Sequence, residues 1–129
     1  MNKFVIDTYA WIEYFNGTKL GEKVKVIIEN SENIIYTNII TIAELSSTYT
    51  RNLVNFSKEK EVILNLSKIF NIDFKFAEEA GILHAETKKK NKHIGMADIF
   101  ILLTAKKVSG KVVTGDEDFR GMKEVLMLK

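Results

Sequence analysis

The chain has 129 residues, of which 46% are hydrophobic and 28% are charged, and it contains no cysteine. This length and composition are typical of a globular protein, so we expect residues 1–129 to form a single domain. The absence of cysteine excludes disulfides, thiolate metal sites and cysteine nucleophiles. The net charge of +2 is too small to indicate a nucleic-acid partner by itself.

The sequence shows no feature of a membrane or secreted protein. Its longest apolar run, residues 99–103, is far shorter than the roughly 20 residues that cross a bilayer. The N-terminus leads directly into a strand-like segment and lacks the layout of a signal peptide. We therefore expect a cytoplasmic protein with no membrane partner.

Short apolar segments rich in β-branched residues alternate along the chain with segments of helical periodicity. The predicted strands are residues 4–6, 33–36, 72–76, 111–113 and 125–128. Helical spacing appears in residues 20–28, 62–70 and 94–105. The alternation predicts an α/β fold with a parallel sheet covered by helices.

Two acidic residues follow predicted strands. Asp7 comes directly after the first strand, and Asp116 lies three residues beyond Val113, at the end of another. Because parallel strands deliver their following loops to the same edge of the sheet, where ligands bind in open α/β folds, we expect these two carboxylates to lie close together.

Asp98 interrupts the apolar segment 94–105, which predicts a largely buried helix. An unpaired buried carboxylate is destabilising unless it is protonated, hydrogen-bonded or bound to a cation. Gly95 fits the start of this helix, so Asp98 is either a first-turn carboxylate stabilised by the helix dipole or a metal ligand. The segment alone leaves both interpretations open.

Glu44 follows the second predicted strand and also has two interpretations. Thr41 and Glu44 have the spacing of a capping box, which would make Glu44 a local structural residue. Asn38 is an equally good N-cap and would place Glu44 in the second turn, where it can project over the sheet edge.

A cluster of these acids requires a cation. Two carboxylates about 4 Å apart repel by roughly 4 kcal/mol at an effective dielectric constant near 20. Mg²⁺ or Mn²⁺ removes this repulsion, and Mg²⁺ usually retains water molecules that can attack a phosphodiester.

Four motifs together resemble those of a PIN-domain nuclease over essentially the whole chain. They are FVIDT at 4–8, TxxEL at 41–45, IGMADI at 94–99 and VTGDEDF at 113–119. The size is also similar to the stand-alone toxins of VapBC toxin–antitoxin pairs. The resemblance implies a three-layer α/β/α sandwich with a central, mainly parallel sheet, and a ribonuclease that requires Mg²⁺ or Mn²⁺.

The resemblance also implies roles for individual residues and partners. Asp7, Asp98 and Asp116 would bind the metal directly or through water, and Glu44 would hold a metal or position the attacking water. Two further residues belong to the last motif: Thr114, whose hydroxyl would support the site, and Asp118, for which an Asx-type turn is the favoured interpretation over a supporting role. A cognate VapB-like antitoxin and a homodimer are implied as well.

A basic segment lies directly before the predicted Asp98 helix and contains Lys88, Lys89, Lys90 and Lys92. Lysines near a metal site can hold the phosphate backbone of RNA without reading its sequence. The alternative is a solvated cap, since lysines at a helix C-terminus complement its dipole.

Four other functions compete with a toxin ribonuclease. A haloacid-dehalogenase-like phosphatase would need a second aspartate where Tyr9 stands, and a receiver-like phosphoacceptor gives no role to Glu44 together with Asp116. A housekeeping PIN nuclease of RNA processing remains open. A catalytically inactive RNA-binding PIN module is disfavoured by the intact acidic quartet.

Overall fold

A five-stranded parallel sheet forms the centre of the computed structural model, which describes residues 1–129. Every neighbouring pair of strands is parallel, which confirms the predicted sheet, and the strand order is β3-β2-β1-β4-β5. The strands are β1 (Lys3–Ile6), β2 (Ile34–Asn38), β3 (Lys68–Phe70), β4 (Lys111–Thr114) and β5 (Val125–Met127).

Six α-helices connect these strands. None of them combines the length and the apolar composition of a membrane-spanning segment. A short 3₁₀ turn, Glu117–Phe119, follows β4. The helices are α1 (Thr8–Asn16), α2 (Lys19–Ile28), α3 (Ile39–Arg51), α4 (Ser57–Leu66), α5 (Phe74–Lys88) and α6 (Met96–Val108).

The two faces of the sheet support two separate hydrophobic cores, because successive strand residues point to opposite faces. Val5 and Val112 pack into a cluster with residues of α5 and α6. Ile6 and Val113 pack into a second cluster with residues of α1 to α4. All four of these side chains are completely buried. The three-layer α/β/α architecture is therefore confirmed.

The predicted strand at residues 72–76 is wrong, since α5 begins at Phe74. Asp73 is the N-cap of this helix, and its Oδ1 accepts a hydrogen bond from the Phe76 backbone N–H at 2.8 Å. Phe76 packs into the core, with ring centroids 5.4 Å from Phe70 and 5.6 Å from Phe100, whereas Phe74 is 86% exposed. The apolar residues that alternate here therefore do not share one face: Phe76 lies in the core and Phe74 is exposed.

The strand missing from that prediction lies in the segment that was predicted as the end of a helix. Helix α4 ends at Leu66, and β3 follows after Ser67, whose backbone is extended. The Ser67 hydroxyl donates to the Ile63 carbonyl at 2.8 Å and also hydrogen-bonds to Thr37 Oγ1 of β2. These bonds end the helix and place the next residues beside β2.

The capped start of α5 can be tested by urea denaturation of two variants. Asp73→Ala removes the cap and is expected to lower the free energy of unfolding by about 1 kcal/mol. Phe74→Ala is expected to change the free energy of unfolding of the monomer by less than about 0.5 kcal/mol, because the side chain is exposed within a single chain. A Phe74→Ala loss as large as the roughly 3–5 kcal/mol expected for a core phenylalanine would contradict this structure.

Candidate metal centre

The four predicted acids converge at the carboxyl edge of the sheet. Asp7 follows β1 directly, Asp116 follows β4, Asp98 lies in the first turn of α6, and Glu44 lies in the second turn of α3. Burial raises the pKa values of Asp7 and Asp98, and neighbouring acids also raise them: Asp116 and Asp98 act on Asp7, and Asp116, Asp118 and Glu44 act on Asp98. The fold therefore brings each of the four acids within electrostatic reach of Asp98 or Asp116.

Asp7 is the most deeply buried of these acids, with only 6% of its surface exposed. It is the N-cap of α1, and its Oδ1 accepts a hydrogen bond from the Ala10 N–H at 2.8 Å. Burial raises its pKa to about 7, mainly by desolvating the charged form, although hydrogen bonds from Thr114 and Ala10 act in the opposite direction. The fold therefore holds this carboxylate in an environment that disfavours its charge.

Asp98 has the first-turn role that the sequence allowed and also lies among the other acids. Helix α6 begins after Gly95, and the Gly95 N–H donates to Asp98 Oδ2 at 3.1 Å, so the residue has a local role at the helix start. Its pKa is raised to about 6, mainly by burial and also by the charges of Asp116, Asp118 and Glu44, while the Gly95 hydrogen bond acts in the opposite direction. The same carboxylate is thus a first-turn residue and a member of the acidic cluster.

Asn38 begins the helix that carries Glu44. The Asn38 Oδ1 accepts from the Ile40 N–H at 2.8 Å, which makes Asn38 the N-cap of α3, and its amide donates to Thr104 of α6 at 2.8 Å. Thr41 lies inside the helix and its buried hydroxyl has no hydrogen-bond partner, so the capping-box interpretation is wrong. Glu44 instead reaches toward α1.

The loop after β4 positions Asp116 and Asp118. The Thr114 hydroxyl accepts from the Asp116 N–H at 2.9 Å, and Asp116 Oδ1 accepts from the Asp118 N–H at 3.0 Å, which confirms an Asx-type turn. The carboxylates of Asp98, Asp116 and Asp118 offer oxygens that all lie within 4.8 Å of one another. This close group includes Asp118, for which the sequence favoured a turn role over a supporting one, and it does not include Asp7 or Glu44.

Gly115 allows this loop to pass close to α1. A Cβ atom built on Gly115 would lie 2.3 Å from Cε1 of Tyr9, so a larger residue would displace the tyrosine ring or the loop. The small residue between Thr114 and Asp116 thus fixes the distance between the β4 loop and α1.

The donor set fits a hard divalent cation. No nitrogen of a basic side chain lies within the 4.0 Å ion-pair distance of these five carboxylates. Asp98, Asp116 and Glu44 each engage one oxygen in a hydrogen bond, which leaves the second oxygen available as a ligand. Carboxylate oxygens are the ligands that Mg²⁺ and Mn²⁺ prefer.

The predicted basic segment lies beside this cluster. The Asn91 side-chain amide donates to the Asp118 carbonyl at 2.7 Å, which fixes the segment against the β4 loop. The Lys88 ammonium donates to the Lys92 carbonyl at 2.9 Å. Four lysine side chains are exposed here and form no ion pair: Lys88, Lys89, Lys90 and Lys92.

Sequence reasoning missed the residue that orients Glu44. The Thr8 hydroxyl donates to Glu44 Oε1 at 2.6 Å and so connects α1 to α3 across the cluster. Thr8 stood in the first quoted motif without a role. A hydroxyl residue directly after a strand-end acid was the available signal, but the contact joins residues 36 positions apart and needs the tertiary fold.

A family model described as the PIN domain matches residues 4–125. The chain belongs to the PIN domain family. No curated protein sequence matches it significantly.

Three solved structures illustrate the similarity. DNA-bound VapBC from Salmonella typhimurium has 22% identity and a TM-score of 0.73, with 100% of both chains covered. FitAcB from Neisseria gonorrhoeae has 28% identity and a TM-score of 0.61, covering 88% of this chain and 87% of that one. VapC20 from Mycobacterium tuberculosis, described as a sarcin–ricin loop cleaving toxin, has 14% identity and a TM-score of 0.74, covering 95% and 98%.

The buried charge of Asp7 predicts an unusual stability effect in metal-free buffer. Folding raises the pKa of Asp7 from 3.8 to about 7, so its stabilising contribution is present below about pH 4 and is lost as the pH rises through about 7. Asp7→Asn keeps an N-cap acceptor and removes the charge. With EDTA at pH 8, the free energy of unfolding of the variant should therefore exceed that of wild type by up to about 4 kcal/mol.

This gain should shrink steadily as the pH is lowered toward 4, where wild-type Asp7 is protonated. The measurement is the free energy of unfolding of both proteins across this pH range. Equal stability at pH 8 would show that the Asp7 carboxylate is not destabilised by its surroundings.

Proposed function

We propose that this PIN domain is a metal-dependent endoribonuclease and the toxin of a VapBC-type toxin–antitoxin pair. The observation that carries the proposal is the acidic cluster at one edge of the sheet, where Asp98, Asp116 and Asp118 offer oxygens within 4.8 Å of one another. Asp7 and Glu44 lie near enough to interact electrostatically with members of this group, and none of the five has a basic counter-ion. Such a group is strongly destabilising without a cation and is suited to binding one.

The relatives support both parts of this proposal. The Mycobacterium tuberculosis relative is a toxin that cleaves the sarcin–ricin loop, and the Salmonella typhimurium relative is a VapBC complex bound to DNA. A toxin–antitoxin complex from Klebsiella pneumoniae is also similar, with 22% identity and a TM-score of 0.73. We extend to this chain an RNA substrate and a VapB-like antitoxin.

Asp7, Asp98 and Asp116 would hold the cation, and the position of Asp118 makes it a further candidate ligand. When bound, Mg²⁺ or Mn²⁺ would supply Lewis-acid stabilisation of the phosphodiester and would lower the pKa of a water molecule. Glu44 would accept the proton of the attacking water at Oε2, because Oε1 is already held by the Thr8 hydroxyl.

Thr114 would support the same site through hydrogen bonds to two of the acidic residues. It is completely buried, and its hydroxyl connects the Asp116 backbone with Asp7. The exposed lysines Lys88, Lys89, Lys90 and Lys92 would hold the RNA backbone beside the Asp118 loop, with no base-specific contact required of them.

An antitoxin needs an apolar surface that the toxin leaves uncovered. Helices α1, α3 and the loop after α3 form an open groove of 260 Å³ with Ile12, Phe15, Tyr49 and Val54 in its lining. Val54 is 51% exposed and Leu53 beside it is 95% exposed. We propose that an amphipathic segment of the antitoxin covers this groove.

We also propose a homodimer. On α5, Phe74 and Ile82 are 86% and 59% exposed and lie eight residues apart, so they share one side of the helix. A second copy of the chain packed against this side would cover both side chains.

Purified protein, freed of any co-purified antitoxin, should cleave RNA when Mg²⁺ or Mn²⁺ is present and should stop when EDTA is added. Asp98→Asn is expected to reduce the rate by at least about 100-fold, because it removes a charged ligand. Asp73→Asn is a matched control, since Asp73 caps α5 in the way that Asp7 caps α1 but lies outside the acidic cluster.

The measurement is gel analysis of labelled transfer and ribosomal RNA over time. If Asp98→Asn cleaves as fast as Asp73→Asn, the acidic cluster is not the catalytic site. If wild type binds RNA but does not cut it with either metal, the chain is an inactive RNA-binding module.

The Thr8 contact predicts a separate effect on Glu44. Thr8→Val keeps the shape of the side chain but removes the donor, and we expect kcat for RNA cleavage to fall by about 10–100-fold with little change in KM. Thr8→Ser retains the hydroxyl and should restore most of the rate. Thermal unfolding should be nearly the same for both variants, and equal kcat values for them would disprove the positioning role.

A further inference from the structure

A second open groove begins at the acidic cluster and runs along α3. It has a volume of 430 Å³ and is lined on one side by Thr8 and Glu44 and at its far end by Arg51. The α3 residues Glu44, Ser47, Thr48 and Arg51 have the spacing of neighbours on one helix face. The groove therefore connects the proposed catalytic glutamate with an arginine through two hydroxyl residues.

Arg51 differs from the other arginine of the chain in having no acidic partner. Arg120 forms two short hydrogen bonds to the carboxylate of Glu117, at 2.6 and 3.0 Å. Arg51 contacts only hydroxyl oxygens, those of Ser47 at 3.3 Å and Thr48 at 3.2 Å. Its charge is therefore not neutralised within the protein, and its remaining N–H groups are available to an anion.

The position of Arg51 relative to the acids suits a nucleic-acid strand. Arg51 follows Glu44 by seven residues in the same helix, which places it roughly 10 Å further along the helix axis. A guanidinium group binds phosphate through two parallel hydrogen bonds, and hydroxyl groups can donate to the same phosphate. The separation allows one strand to occupy both the acidic cluster and the guanidinium.

The sheet order places this groove opposite the lysine segment. Glu44 belongs to the helix after β2, and Asp118 follows β4, so the two lie on opposite sides of β1 and Asp7. The lysine segment is fixed to Asp118 and the groove begins at Glu44. Positive charge therefore stands on both sides of the acids.

We propose that Arg51, with Ser47 and Thr48, binds a backbone phosphate of the RNA strand next to the linkage that is cut. The strand enters over the lysine segment, crosses the acids and leaves along α3, or follows this path in reverse. This inference rests on the proposed ribonuclease function and adds to it a substrate-binding site that fixes the position of the strand.

Arg51 also has a purely structural interpretation. It lies in the last turn of α3, where a positive charge complements the helix dipole. A dipole partner affects the stability of the helix, whereas a phosphate ligand affects RNA binding and its salt dependence. These two quantities can be measured separately.

The first experiment compares Arg51→Gln with Lys111→Gln. Lys111 is exposed at the amino end of β4, on the edge of the sheet opposite the acids, so its replacement changes the net charge equally. For a labelled single-stranded RNA of mixed sequence, Arg51→Gln should raise KM about tenfold and leave kcat nearly unchanged. It should also reduce the slope of log KM against log salt by about one, whereas Lys111→Gln should match wild type.

The second experiment locates the phosphate. A neutral methylphosphonate linkage is moved one position at a time along the same RNA, and binding is measured by fluorescence anisotropy in the Asp98→Asn background with Mg²⁺. One position near the cleavage site should weaken binding to Asp98→Asn about tenfold. The same linkage should have no further effect when Arg51→Gln is also present, because the contact is already lost.

Equal KM values for Arg51→Gln and Lys111→Gln would overturn the inference, as would equal losses from the neutral linkage with and without Arg51. A lower melting temperature for Arg51→Gln with unchanged RNA binding would assign Arg51 to the helix dipole. Failure of the proposed function is recognised separately, because wild type would then cleave no RNA, and the binding experiment would still decide the role of Arg51.

Discussion

Uncompensated negative charge at one edge of the sheet is the constraint on which the rest of this structure depends. Burial raises the pKa of Asp7 to about 7, and neither this residue nor the other acids of the cluster have a basic partner. The apolar side chains of Val5, Ile6, Val112 and Val113, all buried, stabilise the strands that hold this arrangement. The cores therefore offset a charge cluster that is unfavourable by itself, and a bound cation would remove that penalty.

The hydrogen bonds that give the acids their local roles also orient their carboxylates for the proposed catalytic role. Asp7, Asp98 and Asp116 each accept a backbone hydrogen bond at the start of a helix or turn. Such a bond fixes the side-chain rotamer and offers partial positive charge from the helix N-terminus. A ligand held in this way needs little reordering when a metal binds. The capping interpretation therefore explains how the acids are positioned and does not compete with metal binding.

Sequence reasoning succeeded where local pattern and strand-end geometry decide the outcome. The parallel strands and the positions of Asp7 and Asp116 followed from periodicity and from the shared edge of a parallel sheet. The strand at 72–76 failed because an N-cap aspartate outweighed an apparent alternation. The role of Thr8 could not be read from the sequence, since it depends on a contact between residues 36 positions apart. For Asp118 the sequence favoured the turn, which is local, over the supporting role, which depends on the approach of Asp98.

The net charge of the chain is only +2, but its acidic and basic side chains are concentrated in separate regions around the proposed site. Negative charge is concentrated at the centre of the proposed RNA path, and positive charge lies on both sides of it, at the lysine segment and at Arg51. The acids repel the phosphate that must reach them, while the flanking cations attract its neighbours. A metal ion that binds the acids therefore lowers the repulsion felt by RNA, and by linkage RNA must strengthen the binding of the metal. In the proposed ribonuclease, substrate binding and metal binding are then one coupled process, before any chemistry takes place.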